Sequence, residues 1–82
     1  MIKSKKDNNL YLGSTNDLRR RLREHNRGSV LATKLRGPFE LIYYEAYRTE
    51  KDAREREHNL KLRSKAFIQL KKRIQASLDD KN

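Results

Sequence analysis

The segment FELIYYEAY, at Phe39 to Tyr47, constrains the fold of this chain more than any other. It is rich in aromatic and β-branched residues, a composition typical of a β-strand, and the chain break at Gly37–Pro38 precedes it. A shorter apolar segment, Leu10 to Gly13, predicts another strand that ends at its glycine. The chain is therefore expected to contain a small sheet.

The residues before Leu10 predict a β-hairpin with a very short first arm. Lys5 to Asn9, KKDNN, has the composition of a turn. If Ile2 to Ser4 is also extended, this turn closes a hairpin whose first strand is almost absent. We therefore expect the first strand to be truncated.

Capping residues and apolar spacing predict helices around these strands. Ser14 to Asp17 offers four N-cap residue types before a helix at about 18–26, which ends at Gly28. Ser29 is expected to cap one or two further helical turns. Thr49 to Asp52 resembles a capping box before a helix that runs to about Arg63.

A last helix is expected after Ser64 as its cap. Its apolar stripe consists of Phe67, Leu70, Ile74 and Leu78. The predicted order is β-β-α-α-β-α-α, an α+β fold with a small antiparallel three-stranded sheet flanked by helices. We expect residues 1–78 to form a single domain and residues 79–82 to be a frayed tail.

The charge balance favours a polyanionic partner. Lysine and arginine number 21 against 11 acidic residues, which gives a net charge of +10 and a pI near 10.2. Nucleic acid is favoured over a membrane because the basic residues do not form one amphipathic helix. The absence of cysteine excludes disulfides and thiolate metal sites, and no apolar run approaches the roughly 18 residues of a membrane span. A soluble, cytoplasmic protein is expected.

Glu57 is the most informative single residue. It shares a helical face with Ala53, Leu60 and Ser64, where an apolar side chain would be expected. Burying an unpaired carboxylate costs several kcal/mol. Glu57 is therefore expected to pair with an arginine, to extend to an edge, or to bind a metal ion.

Tyr11, Arg21 and His25 are ambiguous when taken one at a time. His25 shares a helical face with Leu18 and Leu22, and Arg21 lies one turn before it on the flank of that face. A histidine there is commonly a partly buried polar residue, and an arginine within RRRLR is commonly solvated. A base and a phosphate clamp would also fit this spacing.

Four separated motifs resemble the GIY-YIG nuclease domain in order and spacing. They are YLG at Tyr11–Gly13, the segment STNDLRRRLREH, PFELIYYE and AREREHNLK. The resemblance covers about Lys3 to Leu78. It is strongest with the small stand-alone bacterial members that are related to the N-terminal incision domain of the nucleotide-excision repair nuclease.

This resemblance implies a metal-dependent DNA endonuclease that uses one Mg²⁺ or Mn²⁺ ion. Glu57 would hold the metal, Arg21 would bind the scissile phosphate, and Tyr11, His25 or both would orient or deprotonate the attacking water. DNA repair and branched or mobile-element DNA are the implied settings. The residues expected to contact nucleic-acid phosphates are Arg19, Arg20, Arg23, Arg27, Lys34 and Arg36.

The start of the chain departs from the family pattern. Aligning Lys3–Ser4 with the KS that commonly follows the family's first strand places the first tyrosine immediately before Met1, so that tyrosine and most of the strand are expected to be missing. Two explanations compete for the short first strand. Either the recorded start codon lies downstream of the real one, or the domain is degenerate. The activity would then be impaired, and the alternatives are a non-catalytic basic nucleic-acid-binding module or a homodimer in which a second chain donates the strand.

Overall fold

The computed structural model describes residues 1–62 and 64–80. The chain divides into two compact units, a first at Met1–Leu41 and a second that begins at Ile42. The first unit contains the sheet and one α-helix, and the second contains three α-helices. Among the described residues, no helix combines the length and the apolar character needed to cross a membrane.

The first unit is built on a three-stranded antiparallel sheet, as the sequence predicts. Its strands are β1 at Ile2–Ser4, β2 at Leu10–Tyr11 and β3 at Phe39–Leu41, arranged in the order β2-β1-β3. Although β1 has only three residues, it lies at the centre and pairs with both neighbours. The expectation of a short first strand is confirmed, but its shortness does not leave β2 and β3 without a partner.

The third strand is shorter than the sequence predicts. It was expected to reach Tyr47 but ends at Leu41, which is paired with Ile2 of β1. A segment with high strand propensity forms a strand only where a neighbouring strand supplies hydrogen bonds. β1 supplies them only along its three residues. The aromatic residues that follow Leu41 therefore lie outside the sheet.

A buried serine joins the ends of the sheet. Ser4 is fully buried, and its Oγ atom donates a hydrogen bond to the carbonyl of Arg36. The same Oγ accepts from the backbone N–H groups of Lys6 and Asp7, at 3.1 and 3.2 Å. One hydroxyl thus satisfies three backbone groups from the β1–β2 turn and from the segment before β3.

The hairpin turn and the first helix follow the sequence prediction closely. Asn8 has φ 62°, a left-handed conformation that asparagine tolerates in turns. Helix α1 spans Leu18–Asn26, and the carboxylate of Asp17 caps it by accepting from the N–H of Arg20 at 3.0 Å. Gly28 follows with φ 73°, where a side chain would be strained.

The segment between α1 and β3 forms less helix than predicted. Only a 3₁₀ turn at Leu31–Thr33 is present, and Val30 rather than Ser29 occupies its N-cap position. The Val30 side chain makes no capping hydrogen bond. Short 3₁₀ turns are common connectors because their hydrogen bonds are too poor for longer runs.

The second unit consists of α2 at Glu50–Leu62, α3 at Ser64–Arg73 and α4 at Gln75–Asp79. The predicted cap of α2 is confirmed because Thr49 Oγ1 accepts from the N–H of Asp52 at 3.3 Å. Leu60 and Leu70 are buried. Arg63, the predicted end of α2, and the side chain of Ser64, the predicted cap, lie outside the described residues.

The predicted last helix is divided in two. Its backbone turns at Ile74, which has φ −112° and ψ 25°, before α4 begins. The expected apolar stripe is nevertheless present, since Phe67, Ile74 and Leu78 are each partly buried on either side of this turn. Asp79 is the last residue of α4 rather than part of a frayed tail, and residues 81–82 lie outside the described part of the chain.

Candidate active site

Tyr11 and His25 both pack against one buried aromatic ring. The ring of Phe39, which is 5% exposed, lies 5.5 Å from the Tyr11 ring and 5.6 Å from the His25 ring between centroids. Both contacts have edge-to-face geometry, which aromatic rings prefer. The first unit thus brings together the two residues that the sequence proposed as alternative bases.

The imidazole of His25 is held by a buried hydroxyl. Its Nδ1 atom lies 2.7 Å from Oγ1 of Thr33, a residue that is 3% exposed. When Nδ1 carries a hydrogen and donates a hydrogen bond to Thr33 Oγ1, the lone pair of Nε2 remains available to accept a proton. That tautomer is the one a general base acting through Nε2 requires.

The electrostatic surroundings of His25 favour its neutral form. Partial burial lowers the pKa of His25 below its usual value of 6.5, and the nearby Arg21 guanidinium lowers it further. The Glu24 carboxylate acts in the opposite direction but is the smallest of the three causes. The imidazole is therefore largely unprotonated at neutral pH, as a base must be.

Arg21 lies on the solvent-exposed flank of α1. Its side chain is 45% exposed, and its Nη1 atom is 3.4 Å from Oε1 of Glu24. Such a long, exposed contact is weak, so the guanidinium can exchange it for a phosphate at small cost. The predicted face of Leu18, Leu22 and His25 is confirmed, since all three are partly buried.

Glu57 is placed on α2, in the second unit. Its carboxylate is paired with a lysine, since Oε2 accepts from Nζ of Lys61 at 2.8 Å. The Glu57 side chain is only 22% exposed. Lys61 lies one helical turn further along, a spacing that brings the two side chains together.

The preceding residue of α2 is anchored to the segment before the helix. Arg56 Nε donates to Oε2 of Glu45 at 2.9 Å, and the Tyr47 hydroxyl donates to Oε1 of the same carboxylate at 3.2 Å. Burial and the Glu45 carboxylate both raise the pKa of Tyr47, because each disfavours the phenolate. These contacts fix the backbone of α2 next to Glu57.

Glu57 fits a single hard cation held mainly by other oxygen ligands. Within residues 1–62 and 64–80, no three histidine or acidic side chains are grouped closely enough to form a protein cage for a metal. Mg²⁺ commonly binds through one or two carboxylates and keeps several waters or substrate phosphate oxygens. The partly buried Glu57 carboxylate has the oxygen donor chemistry for such an ion, and Lys61 now occupies one of its two oxygens.

The basic residues proposed to contact nucleic acid are all solvent-exposed. Two of them also make protein contacts: Arg20 Nη2 donates to Asn16 Oδ1 at 3.0 Å, and Arg36 Nη1 lies 2.9 Å from Asp7 Oδ2. The six residues are Arg19, Arg20, Arg23, Arg27, Lys34 and Arg36.

Sequence reasoning missed three residues that shape this region. Thr33 contacts His25, Phe39 packs against both His25 and Tyr11, and Asn26 Oδ1 accepts from the N–H of Phe39 at 2.6 Å. Asn26 thus ties the end of α1 to the start of β3. Asn26 follows His25 directly in the sequence, but no local pattern indicates that its hydrogen-bond partner lies thirteen residues further along the chain.

Comparison with known proteins identifies the family. The model of the GIY-YIG catalytic domain matches residues 1–74. The chain therefore belongs to the GIY-YIG family, a family of nucleases, and the resemblance found in its motifs is confirmed. No solved structure matches the chain at a significant level.

Several curated relatives match about two thirds of the sequence. The chain is 40% identical over 57 residues to the UPF0213 protein CPE1444 of Clostridium perfringens and 44% identical over 57 residues to the UPF0213 protein YazA of Bacillus subtilis. It is 43% identical over 56 residues to the UPF0213 protein HQ_3675A of Haloquadratum walsbyi. The matches cover 68%, 68% and 67% of this chain, and 61%, 58% and 63% of those proteins. The chain thus spans about three fifths of the length of these relatives, whose names state no activity.

Proposed function

We propose that this chain is a metal-dependent endonuclease that hydrolyses DNA phosphodiester bonds. The observation that carries the proposal is the match of residues 1–74 to the GIY-YIG catalytic domain. The packing of Tyr11, Phe39 and His25 supports it, because two candidate bases contact the same buried ring.

In this proposal His25 activates the attacking water. Its lowered pKa keeps the imidazole neutral, and Thr33 fixes the ring so that Nε2 can accept the proton. Tyr11 would orient the water through its hydroxyl, which can both donate and accept a hydrogen bond. Arg21 would bind the scissile phosphate, because a guanidinium is always charged and can donate to two phosphate oxygens.

Glu57 would hold one Mg²⁺ or Mn²⁺ ion. When bound, the ion would stabilise the negative charge of the leaving 3′ oxygen. Lys61 donates to one oxygen of the Glu57 carboxylate, so the cation would compete with the Lys61 ammonium group for that carboxylate. Thr33 would be a positioning residue, since its hydroxyl holds the His25 ring.

Cleavage of labelled plasmid, flap and single-stranded DNA in Mn²⁺ tests this proposal. We expect the wild-type chain to cut at least one substrate and Glu57→Gln to lower the rate by roughly 10²- to 10³-fold, as when one transition-state contact is removed. Glu55→Gln is the matched control, because Glu55 is an exposed carboxylate on the same helix.

A basic binding module is the second candidate, and the six exposed cations favour it. It predicts salt-sensitive DNA binding that Glu57→Gln leaves unchanged, together with no cleavage by the wild-type chain in Mn²⁺. That pair of results would overturn the nuclease proposal.

A further inference from the structure

The segment Leu31 to Leu35, here called the leucine turn, exposes two large apolar side chains. Leu31 is 89% exposed and Leu35 is 76% exposed, the highest values among the large apolar side chains of the described residues. A single exposed leucine is unremarkable on a protein surface. Two within five residues place large apolar side chains in solvent on one short turn of the first unit.

The backbone that carries these leucines is anchored at several points. The N–H of Lys34 donates to the carbonyl of Leu31 at 3.5 Å, and the Nζ of Lys6 donates to the carbonyl of Leu35 at 3.3 Å. Between the two leucines, buried Thr33 contacts Nδ1 of His25. The leucine turn is therefore a fixed part of the first unit, and it is joined through one residue to the candidate base.

The surroundings of the leucine turn are cationic. The sequence has no acidic residue between Glu24 and Glu40. Arg27 and Lys34 are exposed there, while Arg36 is paired with Asp7. An apolar projection among cations complements a partner that combines negative charge with apolar surfaces, and the gap between stacked bases of a nucleic acid has both.

We propose that the leucine turn inserts at a weakened base step of duplex DNA while Arg27 and Lys34 bind the flanking phosphates. This inference rests on the proposed function and names its substrate class: duplexes with a mismatch, a nick or a branch. Apolar side chains that enter a base step must partly unstack it. Unstacking costs less where pairing is already broken, so such a site is selected over intact duplex.

Binding to DNA that contains 2-aminopurine tests the proposal without any cleavage. The base analogue is placed beside a mismatch in one duplex and in a fully paired position in another, and EDTA is present throughout. We expect wild-type binding to raise the fluorescence of the mismatched duplex, because the analogue becomes unstacked. Leu31→Ser with Leu35→Ser should abolish this rise and weaken binding to the mismatched duplex by about tenfold, as expected for losing a buried leucine contact.

Leu62→Ser is the matched control, because Leu62 is also an exposed leucine, at 68%, but lies on α2. Both Leu31 and Leu35 are exposed, so the double variant is expected to fold, and circular dichroism verifies this. Lys34→Gln should weaken binding to mismatched and paired duplexes equally and reduce the salt slope by about one ion.

Three results would overturn the leucine-turn proposal. The first is a double variant whose fluorescence change and affinity equal those of wild type. The second is a loss of fluorescence change and affinity with Leu62→Ser that is as large as in the double variant. The third is a double variant that loses a dimer on size-exclusion chromatography but binds DNA as wild type does. The last result would show that the leucines meet a second copy of the chain. Failure of the nuclease proposal is seen separately, as an absence of cleavage in Mn²⁺ while the mismatch preference and its loss in the double variant persist.

Discussion

The polar contacts inside the first unit differ in kind from those inside the second unit. In the first unit, hydrogen bonds join residues that are far apart in sequence, such as Ser4 to Arg36 and Asn26 to Phe39. In the second unit, the polar contacts along the helices are local: Arg54 pairs with Glu50, and Gln75 with Asp79, each at a spacing of four residues. The longest-range hydrogen bond described there, from Arg56 to Glu45, spans eleven residues.

This difference has an energetic consequence. A hydrogen bond to a buried group cannot be replaced by water when its partner is removed, so its loss exposes the full desolvation cost. An ion pair between exposed side chains is replaced by hydration at almost no cost. Single substitutions of polar residues should therefore destabilise the first unit much more than the second.

The largest effect is expected for Ser4→Ala. This change removes one hydroxyl that serves three backbone groups near the centre of the sheet. We expect the free energy of unfolding to fall by about 2–3 kcal/mol, because buried groups lose their partner. Urea denaturation followed by circular dichroism measures it.

Ser14→Ala is the control for Ser4→Ala, since Ser14 is exposed before α1 and makes no hydrogen bond described for its side chain. It should change stability by less than about 0.5 kcal/mol. Equal losses in the two variants would contradict the special role of the Ser4 hydroxyl.

A smaller loss is expected for Asn26→Ala. The side-chain oxygen of Asn26 is the acceptor for the N–H of Phe39, and the Phe39 ring contacts the rings of Tyr11 and His25. We expect a loss of about 1–2 kcal/mol in the free energy of unfolding, measured in urea, and broadened ring signals of His25 by NMR. Asn59→Ala, at an exposed position of α2, is the control. An unchanged free energy of unfolding and unchanged His25 signals in Asn26→Ala would show that the hydrogen bond between Asn26 and Phe39 does not stabilise the first unit.

The pH dependence of stability should also differ between the units. The pKa of His25 is lowered in the folded chain, chiefly by partial burial and then by Arg21, so the unfolded chain binds the proton more readily. The free energy of unfolding should therefore fall as pH drops below about 6.5, the ordinary histidine value, and stay level above it. Urea denaturation at pH 7.5 and 5.5 should show a smaller fall for His25→Gln than for wild type.

His58→Gln is the matched control for this pH experiment, because it removes an exposed histidine from α2 in the second unit. A pH dependence that His58→Gln reduces as much as His25→Gln would refute the assignment to the first unit. The same measurement bears on catalysis, since a base with a lowered pKa keeps working at mildly acidic pH.

Local sequence signals predicted the elements whose hydrogen bonds are local. Helix α1, its Asp17 cap, the KKDNN turn and the Thr49 cap all depend on residues within a few positions of one another. The length of β3 could not be read from FELIYYEAY, because a strand ends where its neighbour ends, and that neighbour lies at the other end of the first unit. The break at Ile74 is equally invisible in the apolar stripe, which continues across it.

The same distinction applies to the candidate site. Family motifs gave Tyr11, Arg21, His25 and Glu57 because those residues have characteristic types and spacings. No local pattern around Thr33 indicates that its hydroxyl would contact His25. The two residues come together because the chain turns at Gly28. The residues proposed to take part in the chemistry are thus easier to find from sequence than the residues that contact and position them.

The smallest effect is expected for Arg54→Ala in the second unit. Its ion pair with Glu50 is short, at 2.6 Å, but the two side chains are 69% and 71% exposed. Exposed pairs at this helical spacing contribute about 0.3–0.5 kcal/mol, and salt screens them. We expect a loss of that size in urea at low salt and almost none in 1 M NaCl, with Arg48→Ala, an exposed arginine before α2, as control. A loss above about 1 kcal/mol that survives high salt would show that the second unit also depends on specific polar contacts, and the contrast between the units would then fail.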